Sequence, residues 1–179
     1  MTWLIVVLAV LVVALGATLL ALIARRSRRP RRLPAKRGAR RVLVAFSGSL
    51  DATVVDAAIR IARADEAVLV PAYLLVVPLR YAENSPLREE VQVAMPLLEA
   101  VEHAALSAGV PVDARIEKGR TLTHALKRLW EVEQFDRIIA PAPANGHGFT
   151  EKELAWVLTH APSETVVLKP MPYANPLTR

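Results

Sequence analysis

Residues 42–51 constrain the fold most, because they combine a short buried strand, a turn of small residues and the start of a helix. The apolar run VLVAF is followed directly by Ser47, Gly48 and Ser49. A buried strand that passes through a Gly/Ser turn into a helix is the usual first unit of a parallel α/β sheet. In such a unit, free backbone N–H groups at the helix N-terminus face a ligand crevice. The stretch therefore predicts a parallel sheet whose first turn is a candidate binding site.

The chain beyond this unit alternates between strand and helix patterns. Helical spacing of apolar residues is found in residues 51–64, 87–108, 122–132 and 151–160, and apolar strand-like runs in residues 67–77, 111–116, 136–140 and 165–169. Pro71 predicts a late start or a bend in the second strand, and Pro96 a late start or a kink in the second helix. Gly109 suits the end of that helix, and Thr150 suits the N-cap of the last one. Five strands that alternate with four helices predict an α/β fold, a doubly wound parallel sheet with right-handed crossovers.

An uncharged apolar segment precedes the α/β pattern. Residues 3–24 carry no charge and are rich in Leu, Val, Ile and Ala. As a helix rising about 1.5 Å per residue they would extend roughly 33 Å, enough to cross a hydrocarbon core of ~30 Å. A cleaved signal peptide is the competing interpretation, but it requires a basic segment before a shorter apolar run. All nearby Lys and Arg residues follow the run instead, so the positive-inside rule predicts a single-pass membrane protein with a cytoplasmic C-terminal domain.

Residues 25–41 form a basic linker, which begins at Arg25 and ends at Arg41. The linker contains ten Lys/Arg residues, two prolines and a glycine, a composition typical of an extended tether. Without these ten, 13 of the 23 basic residues remain against all 17 acidic ones, so residues 42–179 carry a net charge of −4. A nucleic-acid-binding domain carries its positive charge on the folded part, so nucleic acid is not an expected partner. The linker either serves only as a stop-transfer signal or also contacts anionic lipid headgroups.

Side chains that could carry catalysis or bind metal are sparse. The chain has no cysteine, which excludes disulfides and thiolate metal sites. Its four histidines, His103, His124, His147 and His160, are scattered and lack partners at metal-ligand spacing. No Gly-x-Ser-x-Gly nucleophile elbow is present. We therefore expect no metal, no catalytic residues and no enzymatic activity.

Four segments together resemble the universal stress protein family, over nearly all of residues 40–170. They are RVLVAFSGS, VDARIEKG followed by TLTHALKRL, FDRIIAP, and VLTHAPSETVVLKP. The resemblance implies an adenine-nucleotide-hydrolase-like sheet with strand order 3-2-1-4-5. It also implies a homodimer through the last strand, here from Thr165 to Lys169. The chain then divides into a transmembrane helix (1–24), the linker (25–41), an α/β domain (42–170) and a tail (171–179).

The resemblance also implies where ATP would bind, and this chain departs from the family there. The candidate contacts are Ala45, Ser47, Gly48, Ser49, Ala140, Pro141, Gly146, Gly148 and Lys152. ATP-binding members of the family place an aspartate where this chain has Ser47. They carry a Gly-x2-Gly stretch where this chain has residues 141–144. Gly146 and Gly148 are either a displaced remnant of that stretch or only a turn. Pro141 has no N–H to offer a phosphate, and Glu151 adds a negative charge where a polyphosphate would lie. We therefore predict a degenerate site without a cofactor, in a binding or interaction module with an unidentified protein partner.

Two other functions stay open at this point. An ATP-binding stress-response regulator at the membrane is favoured by the hydroxyl of Ser47 and by Gly48. The string SGSLDAT also resembles the SGGxDS loop of the PP-loop ATP pyrophosphatases, with Ser49 in place of the second glycine and Ala52 in place of the final hydroxyl. The remaining chain offers no additional substrate domain for such an enzyme.

Overall fold

A computed structural model describes Trp3, residues 39–143 and residues 149–169. Its strands and helices are, in chain order, β1 Arg41–Phe46, α1 Ala52–Ala64, β2 Val68–Val76, α2 Arg88–Ser107, β3 Arg115–Gly119, α3 Leu122–Val132, β4 Arg137–Pro141, α4 Glu151–His160 and β5 Glu164–Leu168. The strands pair in parallel in the order β3-β2-β1-β4-β5. The predicted five-stranded parallel sheet and its order 3-2-1-4-5 are confirmed.

Helices cover both faces of the sheet, which is why its strands have continuous apolar sequences. On one face, Leu43 of β1 lies in a buried cluster with Leu126 of α3 and Val157 of α4. On the other face, Val44 of β1 lies in a second cluster with Ala58 of α1. Successive residues of a strand point to opposite faces, so β1 contributes to both clusters. Each fully buried Leu or Val side chain stabilises the fold by about 1.5–3 kcal/mol relative to an exposed one.

Pro71 lies inside β2 without delaying the start of that strand. It stands opposite Val44 in an uninterrupted pairing of β2 with β1. The N–H of Leu69 donates to the carbonyl of Pro111, on the side of β2 that faces β3. Backbone groups two residues apart in a strand face the same neighbour, so the nitrogen of Pro71 also faces β3. The missing donor therefore falls on the side of the edge strand, and the pairing with the central strand β1 is complete.

The third strand lies further along the chain than predicted. The sequence predicts a strand at residues 111–116, whereas β3 occupies Arg115–Gly119. Val112 contributes an isolated bridge to Leu69, and regular pairing with β2 begins only beyond Pro71, at Ala72. The charged pair Glu117 and Lys118 is tolerated because β3 is an edge strand of the described sheet. The predicted boundaries of this strand are therefore wrong at both ends. Regular pairing starts only beyond Pro71, and an edge strand can continue through charged residues.

Two predicted helix-end residues, Thr150 and Gly109, are confirmed. Thr150 forms a capping box with Glu153 at the start of α4. Asp51, for which the sequence analysis predicted no cap, is the N-cap of α1. Gly109 follows α2 with a φ of +74°, and its N–H and that of the next residue bond back to the last turn, which makes a Schellman motif. α2 continues through Pro96, so the late start considered for this helix is not found.

The predicted span at residues 3–24 lies, apart from Trp3, outside the described residues. No helix within the described residues is both long and apolar enough to cross a bilayer. The linker up to residue 38 and the tail from residue 170 also lie outside the described residues. The transmembrane helix, its orientation and the domain limits therefore stay predictions.

Candidate functional site

The candidate site lies where the carboxyl ends of β1 and β4 meet. Val44 pairs with Ile139 in the parallel ladder between these strands, so Ala45 and Ala140 follow side by side, and both are fully buried. β1 leads to α1 on one face of the sheet, and β4 leads to α4 on the other. Such a reversal of strand order opens a crevice at the carboxyl edge, where α/β proteins bind their ligands. The structure thus brings together the two strand ends that the sequence analysis selected.

The turn between β1 and α1 forms one wall of the crevice. Ser47 and Gly48 are half-buried and Ser49 is exposed. Gly48 has a φ of +73°, in the left-handed region that a side chain would strain. This backbone geometry agrees with the predicted role of the Gly/Ser turn as a tight connection between strand and helix.

Asp51 occupies the N-terminus of α1 at the end of this turn. Its carboxylate accepts a hydrogen bond of 2.7 Å from the backbone N–H of Thr53, and it also accepts one from the Thr53 hydroxyl. The backbone carbonyl of Asp51 accepts the N–H groups of Val54 and Val55, each at 3.1 Å. The first turn of α1 therefore already carries its own anion, in the position where the helix dipole would favour a phosphate.

The end of β4 forms the opposite wall. Pro141 is buried, pairs with Leu168 of β5, and has no N–H. The N–H of the following Ala142 donates to the carbonyl of Leu168 at 2.8 Å, so the sheet uses it. Two candidate contacts, Gly146 and Gly148, lie outside the described residues. The described part of this wall offers no free backbone donor at Pro141 or Ala142.

The N-terminus of α4 is also satisfied by its own side chains. The carboxylate of Glu153 accepts the backbone N–H of Thr150 at 2.9 Å and the hydroxyl of Thr150 at 2.8 Å. The N–H of Glu153 in turn donates to that hydroxyl at 3.3 Å. Glu151 adds a second carboxylate to this first turn, and the candidate contact Lys152 is exposed beside it. A carboxylate therefore takes part in the capping of both helices, as the N-cap Asp51 in α1 and as the capping-box residue Glu153 in α4.

Aromatic packing fills the space on the β2 side of the crevice. Phe46 is fully buried and Tyr73 nearly so, and their rings meet edge to face with centroids 5.5 Å apart. Leu75, Val77 and Leu87 belong to the same buried cluster. Leu50, from the turn between β1 and α1, packs against this cluster at the carboxyl ends of β1 and β2.

The structure shows a cleft that the sequence did not indicate. It has a volume of about 340 Å³, and it lies between α1 and the end of β5. The lining residues are Thr53, Val54, Asp56, Ala57, Arg60, Leu168 and Lys169. None of the candidate contacts that the structure describes belongs to this lining. Charged residues on the outer side of an amphipathic helix such as α1 usually mark a solvated face, so no sequence signal pointed to them.

An ion-pair network lies at the opposite, amino edge of the sheet. Arg41 contacts Asp113 at 2.9 Å and Glu133 at 2.8 Å, and Arg115 contacts the same two carboxylates at 2.8 Å each. Burial raises the pKa of Asp113, but the hydrogen bonds and charges of Arg115 and Arg41 outweigh burial, so this pKa lies below its ordinary value. The pKa of Arg115 is raised despite burial, because of Asp113 and Glu133. The network connects the start of β1, where the basic linker ends, to β3 and α3.

No group of three or more His, Asp or Glu side chains that could hold a metal ion occurs within the described residues. The carboxylates at the crevice act as helix caps, as described above. The expectation of a protein without a metal remains a prediction for the whole chain.

No protein-family model and no curated protein matches the chain. Solved structures do match it. A protein of the universal stress protein family from Burkholderia pseudomallei is 22% identical with a TM-score of 0.56, over 77% of this chain and 100% of that chain. The universal stress protein from Archaeoglobus fulgidus is 14% identical with a TM-score of 0.56, over 72% and 92%. A universal stress protein in complex with cAMP is 19% identical with a TM-score of 0.55, over 74% and 98%. These likenesses show that the domain has the fold of the universal stress proteins.

Proposed function

We propose that this chain, whose domain has the fold of the universal stress proteins, is a membrane-anchored binding and interaction module with a degenerate nucleotide site. In this proposal the domain works in the cytoplasm by contact with a protein partner, and it carries out no catalysis. The observation that carries the proposal is that a carboxylate takes part in the cap of each helix at the crevice between β1 and β4, with Asp51 as the N-cap of α1 and Glu153 in the capping box of α4.

These caps act against a polyphosphate in two ways. Each carboxylate repels a phosphate at the position where the helix dipole would attract one. The caps also occupy backbone N–H groups: that of Thr53 donates to Asp51, and that of Glu153 donates to the hydroxyl of Thr150. Pro141 supplies no N–H. The loss of two hydrogen bonds to a charged ligand, at about 1.5–3 kcal/mol each, weakens binding by roughly two to four orders of magnitude.

An ATP-binding regulator is the second candidate function. The left-handed turn at Gly48 favours it, since that geometry lets a backbone approach a ligand closely. A protein of the same fold has been solved in complex with cAMP, which also supports it. An enzyme of the PP-loop type is a weaker third candidate, because Ser49 and Ala52 depart from its motif.

Membrane attachment rests on the sequence of residues 3–24, which is long and apolar enough to span a bilayer. The basic linker at residues 25–41 supports a cytoplasmic position of the domain and contact with anionic lipids. Self-association through β5 is part of the same proposal. β5 is an edge strand of the described sheet, and Val167 leaves 37% of its surface exposed there.

Calorimetric titration with Mg-ATP of a protein that begins at Arg40 tests the degenerate site. We expect no binding tighter than roughly millimolar. A micromolar dissociation constant would contradict the proposal and favour the regulator.

A double variant, Asp51→Asn with Glu153→Gln, identifies the cause of weak binding. Asparagine and glutamine retain the hydrogen bonds of an N-cap and a capping box while removing both negative charges. Tighter binding by this variant would assign the weakness to the two carboxylates. Unchanged binding would assign it to the proline-containing end of β4.

A further inference from the structure

The cleft between α1 and the end of β5, here called the α1–β5 cleft, lies beside the edge of the sheet. α1 and α2 contribute to the buried cluster on one face, and α3 and α4 contribute to the cluster on the other. Val166 and Leu168 of β5 pack against the cluster of α1 and α2, but they are only partly buried. The cleft that remains there has a volume of about 340 Å³. This is within the range of pockets that bind small molecules, which begins at roughly 300 Å³.

The apolar residues of the cleft are less exposed than its charged ones. Val54 is buried, and Ala57 and Leu168 are half-buried. These three residues form an apolar base. A base of this kind favours the burial of an aliphatic group, because contact with it removes apolar surface from water.

Three charged side chains, here called the rim, complete the lining. Asp56 and Arg60 are both exposed on α1, and they stand one helical turn apart, roughly 6 Å along the helix axis. Lys169 is exposed on the other wall, where it directly follows β5. The rim therefore offers two cations and one anion above an apolar base.

The rim charges are not used by the fold that the structure describes. No ion pair within residues 39–143 and 149–169 involves Asp56, Arg60 or Lys169. An acidic residue four positions before a basic one on a helix is the spacing at which ion pairs often form, yet Asp56 and Arg60 form none. By contrast, Arg41 and Arg137 are each bound by two carboxylates. Both signs of charge at the rim are therefore available to a ligand.

We propose that the α1–β5 cleft binds a free aliphatic α-amino acid. The guanidinium of Arg60 binds the carboxylate of the ligand through two parallel hydrogen bonds, a geometry that suits arginine better than lysine. Lys169 supplies a second positive charge to that carboxylate, and Asp56 accepts hydrogen bonds from the ammonium group. The aliphatic side chain lies on the apolar base. This site is separate from the nucleotide crevice and does not depend on membrane attachment.

The pattern of charges selects a zwitterion over ligands of a single sign. Asp56 disfavours a polyanion such as a phosphate ester, because a carboxylate repels it at short range. Arg60 and Lys169 disfavour a simple amine for the same reason. A ligand with a carboxylate and an ammonium group on one carbon atom satisfies both walls at once.

Equilibrium dialysis of the full-length protein in detergent micelles against radiolabelled L-leucine tests the proposal, with protein-free micelles as the background. We expect saturable binding of one L-leucine per chain. Two analogues serve as competitors: 4-methylpentanoate, which lacks the ammonium group, and 3-methylbutylamine, which lacks the carboxylate. Each should bind at least about tenfold more weakly than L-leucine, since each loses its hydrogen bonds to a charged partner.

Two variants assign the contacts to single residues. Arg60→Gln should weaken the binding of L-leucine at least about tenfold and remove the discrimination against 3-methylbutylamine. Asp56→Asn should remove the discrimination against 4-methylpentanoate. The matched control is Arg63→Gln, because Arg63 is also exposed on α1 but does not line the cleft. All three substitutions replace exposed side chains, so the variants should fold, and the control should bind L-leucine as the wild type does.

Several results would overturn the proposal. The first is an absence of saturable L-leucine binding by the wild type. The second is an equal loss of binding in Arg60→Gln and Arg63→Gln. Binding of 4-methylpentanoate as tightly as L-leucine would overturn it in favour of a general anion site. Binding of L-leucine that weakens as the protein concentration rises would overturn it in favour of a cleft that a second copy of the chain fills.

Discussion

The side-chain carboxylate of Asp51 accepts a 2.7 Å hydrogen bond from the backbone N–H of Thr53, and thereby caps α1 beside the candidate nucleotide crevice. The same carboxylate occupies the position where the helix dipole would favour a phosphate. If the proposed function is correct, Asp51 both stabilises the helix and disfavours the binding of a polyphosphate.

The first prediction concerns this cap. Asp51→Ala should lower the free energy of unfolding by about 0.5–2 kcal/mol, because the N–H of Thr53 loses its acceptor. Asp51→Asn should cost much less, since an amide oxygen can accept the same bond. Urea unfolding of proteins that begin at Arg40 measures both changes. Equal losses in the two variants would show that the charge of Asp51, rather than the hydrogen bond, stabilises α1.

The second prediction concerns acid stability through Asp113. Its pKa lies below the ordinary value of 3.8, because bonding to Arg115 and Arg41 outweighs the opposing effect of burial. Because the pKa of Asp113 is lowered in the folded state, its ionised carboxylate stabilises the fold. This stabilisation is complete above about pH 4 and is lost as the pH falls through the folded pKa. The free energy of unfolding should therefore fall more steeply below about pH 4 in the wild type than in Asp113→Asn. Parallel acid profiles for the two proteins would contradict this.

Glu117 provides a control of opposite sign for the acid profile. Burial is the main cause that raises its pKa, and the charge of Arg115 only partly opposes it. A raised pKa of a carboxyl group means that ionisation costs stability, and that stability is regained as the pH falls through the folded pKa. Glu117→Gln should therefore increase the free energy of unfolding at neutral pH, whereas Asp113→Asn should decrease it.

The third prediction concerns self-association through β5. The carbonyl of Leu168 accepts a hydrogen bond from the N–H of Ala142, just after β4, so the backbone groups of Leu168 face β4. Neighbouring residues of a strand alternate in direction, so the N–H and C=O of Val167 face the open edge of the sheet. We predict that a protein beginning at Arg40 forms homodimers, and that Val167→Pro yields monomers because it removes an outward N–H. Val167→Thr retains the N–H and should remain dimeric. Light scattering distinguishes these states, and a monomeric wild type at high concentration would contradict the prediction.

The fourth prediction concerns the basic linker. Each Lys or Arg near an anionic leaflet contributes about 1 kcal/mol, attenuated beyond a Debye length of ~8 Å at physiological salt. A protein that begins at Arg25 should therefore bind phosphatidylserine vesicles in a salt-dependent manner and should not bind neutral phosphatidylcholine vesicles. A protein that begins at Val42 should bind neither. Equal binding of the two proteins to anionic vesicles would show that the linker is only a topology signal.

Local sequence rules determined most of the secondary structure of the domain. The N-cap at Thr150 and the helix end at Gly109 each depend on residues within five positions, and both were predicted. The cap at Asp51 is equally local, although it was not predicted. The parallel sheet followed from apolar runs that alternate with helical patterns, and its strand order from the family resemblance. The candidate crevice followed as well, because the carboxyl ends of β1 and β4 must be neighbours in that order.

Contacts between distant parts of the chain were decided only by the tertiary structure. The limits of β3 depend on the strand that runs beside it, where Pro71 offers no donor. Arg120 reaches the carbonyl of Tyr81, 39 residues earlier, and Arg41 reaches Asp113, 72 residues later. Nothing near a lone arginine in the sequence indicates which distant carbonyl or carboxylate it will meet, because that partner is selected by the packing of strands and helices around it. The bonds from Arg120 to the carbonyls of Val77, Pro78 and Tyr81 therefore became visible only in three dimensions.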